Sequence, residues 1–279
     1  MKKVLLPVTL FFTVAVNAQS IKLNKGQKIT IRSSVTQEIN MGMGGDIKNS
    51  DTSTSVVEIK EADNNNYNAV YTLTKMKMSM DGMGQQESYD SEKPGDGATE
   101  LGKAIGEKVG KEVKVKIDKN SGKTTSETPE SPEKKEEEDQ NNPFGNMTAM
   151  IAAAETESAI TESAFFLIPA GKKAGDSWSD SVNVKDAMKG IKTYTLKSIN
   201  DNIATIGVFS KLDGKQNVEL QGMQIDINLS AKTEGELLVD TKTFLVKKSS
   251  RVADVTGNMD MMGQSMPISS KVTETTLYN

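Results

Sequence analysis

Residues 56–80, "VVEIKEADNNNYNAVYTLTKMKMSM", alternate apolar and polar side chains with a period of two, and the phase of that alternation slips once. Tyr67, Ala69, Tyr71 and Leu73 occupy odd positions, whereas Met76, Met78 and Met80 occupy even ones. A period of two is a strand with one wet face. A phase slip inside such a strand predicts a β-bulge near Thr74 or Lys75, because one extra residue there keeps both apolar sets on the same face. The Asp63-Asn64-Asn65 run breaks the segment where a hairpin turn belongs. Few folds other than an antiparallel sheet accept such a segment.

The same alternation recurs along the chain. Val35, Ile39, Met41 and Met43 alternate with Thr36, Glu38, Asn40 and Gly42 in an early strand, and residues 112–117 form another before an Asp118 turn. "TYTLKSINDNIATIGVFSKL" (193–212) matches 56–76 in layout, and "GELLVDTKTFLVKKSS" (235–250) matches 112–126. The reading is a mainly β (α+β) protein, a curved antiparallel sheet or half-barrel built of two pseudo-repeated halves with two helices. One helix is expected near 97–111, where Leu101, Ala104, Ile105 and Val109 fall at helical spacing. The other is expected in the alanine-rich stretch 147–164. Trp178, the sole tryptophan, follows a Gly-Asp turn and is expected to anchor the second β-rich half.

Residues 1–18 have the form of a secretory signal: Lys2 and Lys3, a short apolar run, and Val16-Asn17-Ala18 before Gln19. The run is too short for a membrane span. No cysteine follows it to carry a lipid anchor. The expected destination is therefore the periplasm or the extracellular medium. The expected organisation is an N-terminal β-rich half (19–125), a disordered acidic linker (126–146) and a helix with a C-terminal β-rich half (147–279). The linker "SETPESPEKKEEEDQNNPFGN" buries too little apolar surface to offset the entropy of ordering it.

Composition prunes the chemistry. The formal net charge is −4 and becomes more negative when Lys2 and Lys3 leave with the signal, so nucleic acid is not an expected partner. Without histidine or cysteine, a Ser-His-Asp triad, a Cys-His pair and a His- or Cys-ligated zinc site are excluded. "GDSW" (175–178) lacks the histidine base that its esterase likeness requires, and "NSGKTT" (120–125) lacks the first glycine of a P-loop, which falls on Ile117. Ser131 and Lys134 have Ser-Lys spacing, but inside the charged linker. The expectation is a non-enzymatic protein without a cofactor.

Methionine is the remaining signal. Of the 15 methionines, most flank glycine-bearing turns: Met41 and Met43; Met76, Met78, Met80 and Met83; Met223; and Met259, Met261, Met262 and Met266. With Asp81-Gly82 as a two-residue turn, Met80 opposes Met83. With Gly263-Gln264 as a turn, Met261 opposes Met266, Met259 opposes Ile268 and Val255 opposes Val272. Met78, Met80, Met83, Met259, Met261 and Met266 are the candidate ligand-binding residues. They are read either as flexible core filler or as a deformable apolar lining for a hydrophobic or lipid-like ligand; a protein that instead binds a partner protein would have them packed and its apolar surface elsewhere. The alternative is a Cu(I) site of thioethers at Met78, Met80 and Met83.

The Met-flanked hairpin "MKMSMDGMG", the glycine-spaced helix before "VKVKIDKNSGK", the stretch leading into "AGDSW", and the last hairpin with "MGQSMPI" resemble a family of uncharacterised exported bacterial β-rich proteins. The resemblance covers most of the chain beyond the signal and implies a curved antiparallel sheet with helices against one face. That shape is similar to the half-barrels that carry lipoproteins and lipids across the periplasm. The resemblance assigns no activity and no functional residues.

Overall fold

The computed structural model describes residues 20–40, 42, 45–82, 84–126, 164–184, 188–220, 223–261 and 264–279. The expected signal, most of the linker and the alanine-rich stretch up to residue 163 lie outside the described residues.

Among the described residues, twelve strands form one open antiparallel sheet. They are β1 (Lys28–Asn40), β2 (Asp46–Ala62), β3 (Asn66–Gly82), β4 (Gln85–Asp90), β5 (Glu112–Asp118), β6 (Thr124–Ser126), β7 (Ser177–Val184), β8 (Met188–Asn200), β9 (Ile203–Leu220), β10 (Met223–Asp240), β11 (Val246–Met261) and β12 (Gln264–Tyr278). The spatial order is β6-β5-β3-β2-β1-β12-β11-β10-β9-β8-β7, with β4 on the outer side of β3. The first and last strands thus meet in the middle, Ile31 opposite Tyr278 and Asn40 opposite Ser269. Long strands follow from the long alternating runs. Most consecutive strands pair because short connections join them, the exceptions being β4 with β5 and β6 with β7.

The bulge lies where the phase slip predicts it. Thr54 pairs with Lys75 and Ser55 with Leu73, so Thr74 is the extra residue, and its hydroxyl donates to the Thr54 carbonyl at 2.8 Å. Thr74 and Lys75 are exposed, while Tyr67, Ala69, Tyr71, Leu73, Met76, Met78 and Met80 are all buried. β3 also changes partner here. Its first half pairs with β5 and its second with β4, and between them Gly110 N–H bonds the Leu73 carbonyl and Ser91 N–H bonds the Met76 carbonyl.

Two parts of the expected architecture are corrected. The helix near 97–111 shrinks to a 3-10 turn (Asp96–Ala98) and one α-helix, α1 (Glu100–Gly106), capped by the Thr99 hydroxyl accepting from Gly102 N–H at 2.9 Å. Gly102 is needed there, because a Cβ would lie 2.0 Å from the Asp96 carbonyl oxygen; the glycines that permit this fold-back also stop the helix. A single helix is present among the described residues, and the second expected one falls outside them. Nor are the halves copies. The β2–β3 and β8–β9 hairpins are alike, each with a register shift that leaves out a lysine, Lys60 and Lys197. Beyond the hairpin the halves diverge: β4 and α1 intervene between β3 and β5, whereas only residues 221–222 separate β9 from β10. β6 is a three-residue edge, whereas β11 is an interior strand of 16 residues.

One face of the sheet carries the main core. Ile29, Val57, Ile59, Tyr71, Val115, Ile117, Leu196, Ile206, Val239 and Tyr278 form it, near the ends of the strands that carry the Asp-rich turns. The cover is a set of short segments. Ile21 hydrogen-bonds Lys119 and the Tyr67 hydroxyl, residues 164–166 pair with the β10–β11 turn, and Ile105 descends from α1. Trp178 begins β7 at one edge of this single sheet, stacked on Tyr194 with ring centroids 5.7 Å apart and next to Phe166. It does not begin a second sheet.

Candidate functional site

The direction of each strand decides where the methionines go. β1, β3, β9 and β11 run toward one end of the sheet, and β2, β4, β10 and β12 start there. The ends of these strands that face one another across each connection therefore share that end of the sheet. The ends are staggered, because Asn40 pairs with Ser269 while β12 begins at Gln264, and a Cβ on Gly42 would lie 3.3 Å from the Pro267 carbonyl within β12. Methionine-bearing segments far apart in sequence are thus collected at one end, opposite the Asp-rich turns.

The registers at two of these tips differ from expectation. In the β3–β4 hairpin Gly82 pairs with Gln85, Gly84 between them has φ +77°, and Met80 faces Glu87. Asp81 and Gly82 continue the strand, and Gly82 sits so tightly against Ile47 that a Cβ would come within 2.8 Å of its Cγ1. Close strand approach needs this glycine as much as a turn would. In the β11–β12 hairpin Met261 pairs with Gln264, Met259 with Met266 and Val255 with Ser270. The expected pairing was offset by two residues. A slip of two preserves the alternation, so the hydrophobic pattern alone has no means of choosing between them.

Burial separates the candidate residues. Met78 and Met80 are enclosed, at 2% and 0% exposure. Met78 belongs to the main core, and Met80 pairs off with Ile47 in a small satellite cluster against which Ile39 packs. Met266 is half-buried, and the register sets it opposite Met259. Met41, Met43 and Met83 lie outside the described residues. The thioether site of Met78, Met80 and Met83 rested on Met80 facing Met83, which is not the pairing found.

Next to Met80 and Ile47 the same face continues across the tip end as half-buried apolar residues: Ile39 on β1, Met266 and Ile268 on β12, Val255 on β11, and Ile227 and Leu229 on β10. Between this strip and the main core lies a band of polar side chains on the same registers. Asn49 donates to the Gln37 amide oxygen at 3.3 Å, and Gln37 donates to the Ser270 hydroxyl at 3.2 Å. One row further, Arg251 pairs with Glu274 at 2.7 Å; beyond them Ser33 and Thr276 share a hydrogen bond, as do Ser55 and Tyr71. Asn49, Asp51, Ser55, Ser249 and Thr276 are all buried. Sequence reasoning missed this band. Its signal was there to read: Ser33, Gln37, Asn49, Asp51 and Ser53 stand on the apolar phase of their strands but are polar.

The opposite face is wet and charged. Lys48, Glu38, Lys271, Asp254 and Lys232 stand opposite one another on five successive strands, alternating in sign. Beside them is a shallow cleft of about 350 Å³ lined by Asn40, Asp46, Thr256 and Ser269 as well. Charge alternation of this kind keeps a broad polar face soluble and in register. The perturbed phenols lie at the core: burial, with a contribution from Asp180, pushes Tyr194 up to about 12, and burial also raises Tyr71 despite its bond to Ser55. Neither phenol has a neighbouring base to accept its proton among the bonds described. Among the described residues no group of three or more acidic side chains is placed to hold a metal ion.

Comparison with known proteins gives little beyond the family. No curated protein matches the sequence. A solved structure described as "Lipid-protein interactions in lipovitellin" aligns with a TM-score of 0.48 at 9% identity, over 90% of this chain. The chain spans 25% of the length of that lipovitellin chain. OccK5 (OpdH) of Pseudomonas aeruginosa aligns with a TM-score of 0.26 at 6% identity, over 90% of this chain and 98% of the other. Neither alignment carries an inference about function. The model of a family of unknown function, DUF6263, matches residues 64–246, from the β2–β3 turn to the start of β11, and the chain belongs to that family.

Proposed function

We propose that this is an exported, non-enzymatic binding protein that holds a hydrophobic, lipid-like molecule against the tip end of the sheet. One observation carries the reading. The core-side face toward this end of the sheet bears a half-buried strip of Ile39, Met266, Ile268, Val255, Leu229 and Ile227 beside the buried Met80–Ile47 pair. A contiguous apolar strip that is neither packed away nor fully wet supports a binding surface. Unbranched thioethers suit a ligand of variable shape. The signal-like leader supports export, and the absence of histidine and cysteine supports binding over catalysis.

The test is native mass spectrometry of the full chain purified from its own compartment, with titration of an apolar fluorescent probe in parallel. A retained hydrophobic adduct, and probe binding weakened about ten-fold by Met266→Gln with Ile268→Gln, is the expected result. Ile191→Ser, on the exposed opposite face, serves as the control and leaves binding unchanged. A bare mass together with probe binding indifferent to both tip substitutions overturns the proposal.

A further inference from the structure

We propose that the wet face carries a second site, a polar cleft over β2, β1, β12 and β11 that takes a small zwitterion of dipeptide size, its ammonium at Asp254 and its carboxylate at Lys271.

The cleft has a volume of about 350 Å³, at the lower end of the roughly 300–1,000 Å³ usual for small-molecule sites. Two rows of side chains pave it. One row is charged: Lys48, Glu38, Lys271 and Asp254 stand in register on four neighbouring strands. The next row toward the tip end is Asp46, Asn40, Ser269 and Thr256. All of them are exposed on the polar phase of their strands, on the face opposite the apolar strip. The cleft and the strip are therefore independent sites.

The two halves of this floor differ. On β2 and β1 the groups satisfy one another: Lys48 lies 3.9 Å from Glu38, and Asn40 donates to Asp46 at 2.7 Å. On β12 and β11 they do not. Lys271 and Asp254 are direct cross-strand partners, the arrangement in which opposite charges attract, yet neither side chain makes an ion pair or hydrogen bond with another described residue. Their other neighbours are diverted. Glu38 contacts Lys48, and Lys232, opposite Asp254 on β10, pairs with Glu234 at 2.8 Å. The hydroxyls of Ser269 and Thr256 likewise have no partner among the described residues. One cation, one anion and two hydroxyls thus face a single cleft with their bonding capacity open to a ligand.

The charges choose among ligands. The lining carries three carboxylates, Glu38, Asp46 and Asp254, against two ammoniums, Lys48 and Lys271, so a free anion such as phosphate enters a net negative site. A bare cation at Asp254 meets Lys271 beside it. A molecule that bears both charges about one strand spacing apart, roughly 5 Å, answers Lys271 and Asp254 together and adds no net charge. A dipeptide carries its two charges at about that separation, and the hydroxyls of Ser269 and Thr256 can donate to its carboxylate or accept from its ammonium.

The test titrates the full chain at low ionic strength with glycylglycine, N-acetylglycylglycine and glycylglycinamide, following backbone amide shifts by nuclear magnetic resonance. The expected result is saturable binding of glycylglycine, about five-fold tighter than either singly charged form, with the shifts centred on residues 254–256 and 269–271. Lys271→Gln and Asp254→Asn should each weaken it about five-fold, whereas Lys48→Gln, which removes a lysine already paired with Glu38, should change it less than about two-fold. All three positions are exposed, so folding is not at stake, and binding of the apolar probe should stay as it is in each variant. Absence of saturable binding, or binding that neither Lys271→Gln nor Asp254→Asn weakens, overturns the site. Equal or tighter binding of a singly charged form overturns the zwitterion assignment. Neither result bears on the apolar strip.

Discussion

The two ends of the sheet are built from the same strands by different means. At one end, side chains tie the turns down. Asp63 accepts from Asn65 and Asn66 N–H, Asp118 from Asn120 and Ser121, and Asp240 from Lys242 and Thr243, all within 2.7–3.1 Å. Asp201 and Asn202 adopt positive φ in a two-residue turn between Asn200 and Ile203. Beneath those turns lies the main core, with its own cover. At the other end the connections carry methionine and glycine, and the apolar residues near them stay half-buried apart from the Met80–Ile47 pair. The difference teaches that one end holds the fold and the other is left available, with the polar band of Gln37, Asn49, Glu274 and Arg251 as the border.

The comparison can be broken at several points. The largest effect should come from deleting Thr74. Without the bulged residue, either Met76, Met78 and Met80 or Tyr67, Ala69, Tyr71 and Leu73 must turn to the wet face, so the variant is expected to fail to give a cooperative urea transition. Next, Ile206→Ala in the packed end, a site at 0% exposure, should cost about 2–5 kcal/mol in urea denaturation. Ile268→Ala at the tip end should cost less than about 1.5 kcal/mol, because little water is excluded there to begin with. Equal losses would show that the two ends are equally packed.

A smaller effect follows from pH. Side-chain and backbone donors from Ser121 hold the Asp118 carboxyl below its usual value of 3.8, and backbone N–H groups of Asn66 and Asn65 do the same for Asp63. Carboxyls depressed by folding contribute stability that is fully present above the unfolded value and is lost as pH falls through the folded one. Below about pH 4, hydrogen exchange at the Asp-turn end should therefore accelerate beyond its intrinsic pH dependence, and Asp118→Asn should blunt the change. The tip-end turns have no such carboxyl among the described hydrogen bonds except Asp46, which accepts from Asn40, and should respond less. The smallest effect is expected of Glu38→Gln on the wet face. Its contact with Lys48 is 3.9 Å long between side chains 68% and 64% exposed, so melting should not shift measurably.

Some of this was legible in the chain. The strand character, the bulge and the Asp and Asn turns all follow from local rules, because a period of two and a turn residue are properties of a few neighbours. The helix near 97–111 was half legible: the apolar spacing was real, but Gly102 and Gly106 serve close contacts with Asp96 and Tyr89 that no local pattern announces. For the candidate site, two of the expected methionine registers were not the ones found. An even offset, two residues in β11–β12 and four in β3–β4, leaves every parity unchanged, and the choice falls to packing such as that of Gly82 against Ile47.

By itself, then, the sequence determined that this chain is an antiparallel β protein, that it cannot use histidine or cysteine chemistry, and that its methionines sit beside turns. Only the tertiary structure decided that β1 meets β12. That one pairing turns two meanders into a single sheet and brings turns near residues 43 and 263 to the same end. It also decided that Gln37 hydrogen-bonds Asn49 on β2 and reaches diagonally to Ser270 on β12. The physical reason is reach: alternation and turn chemistry act over a few residues, whereas the site is made by strands more than two hundred residues apart, which only their shared buried face brings together.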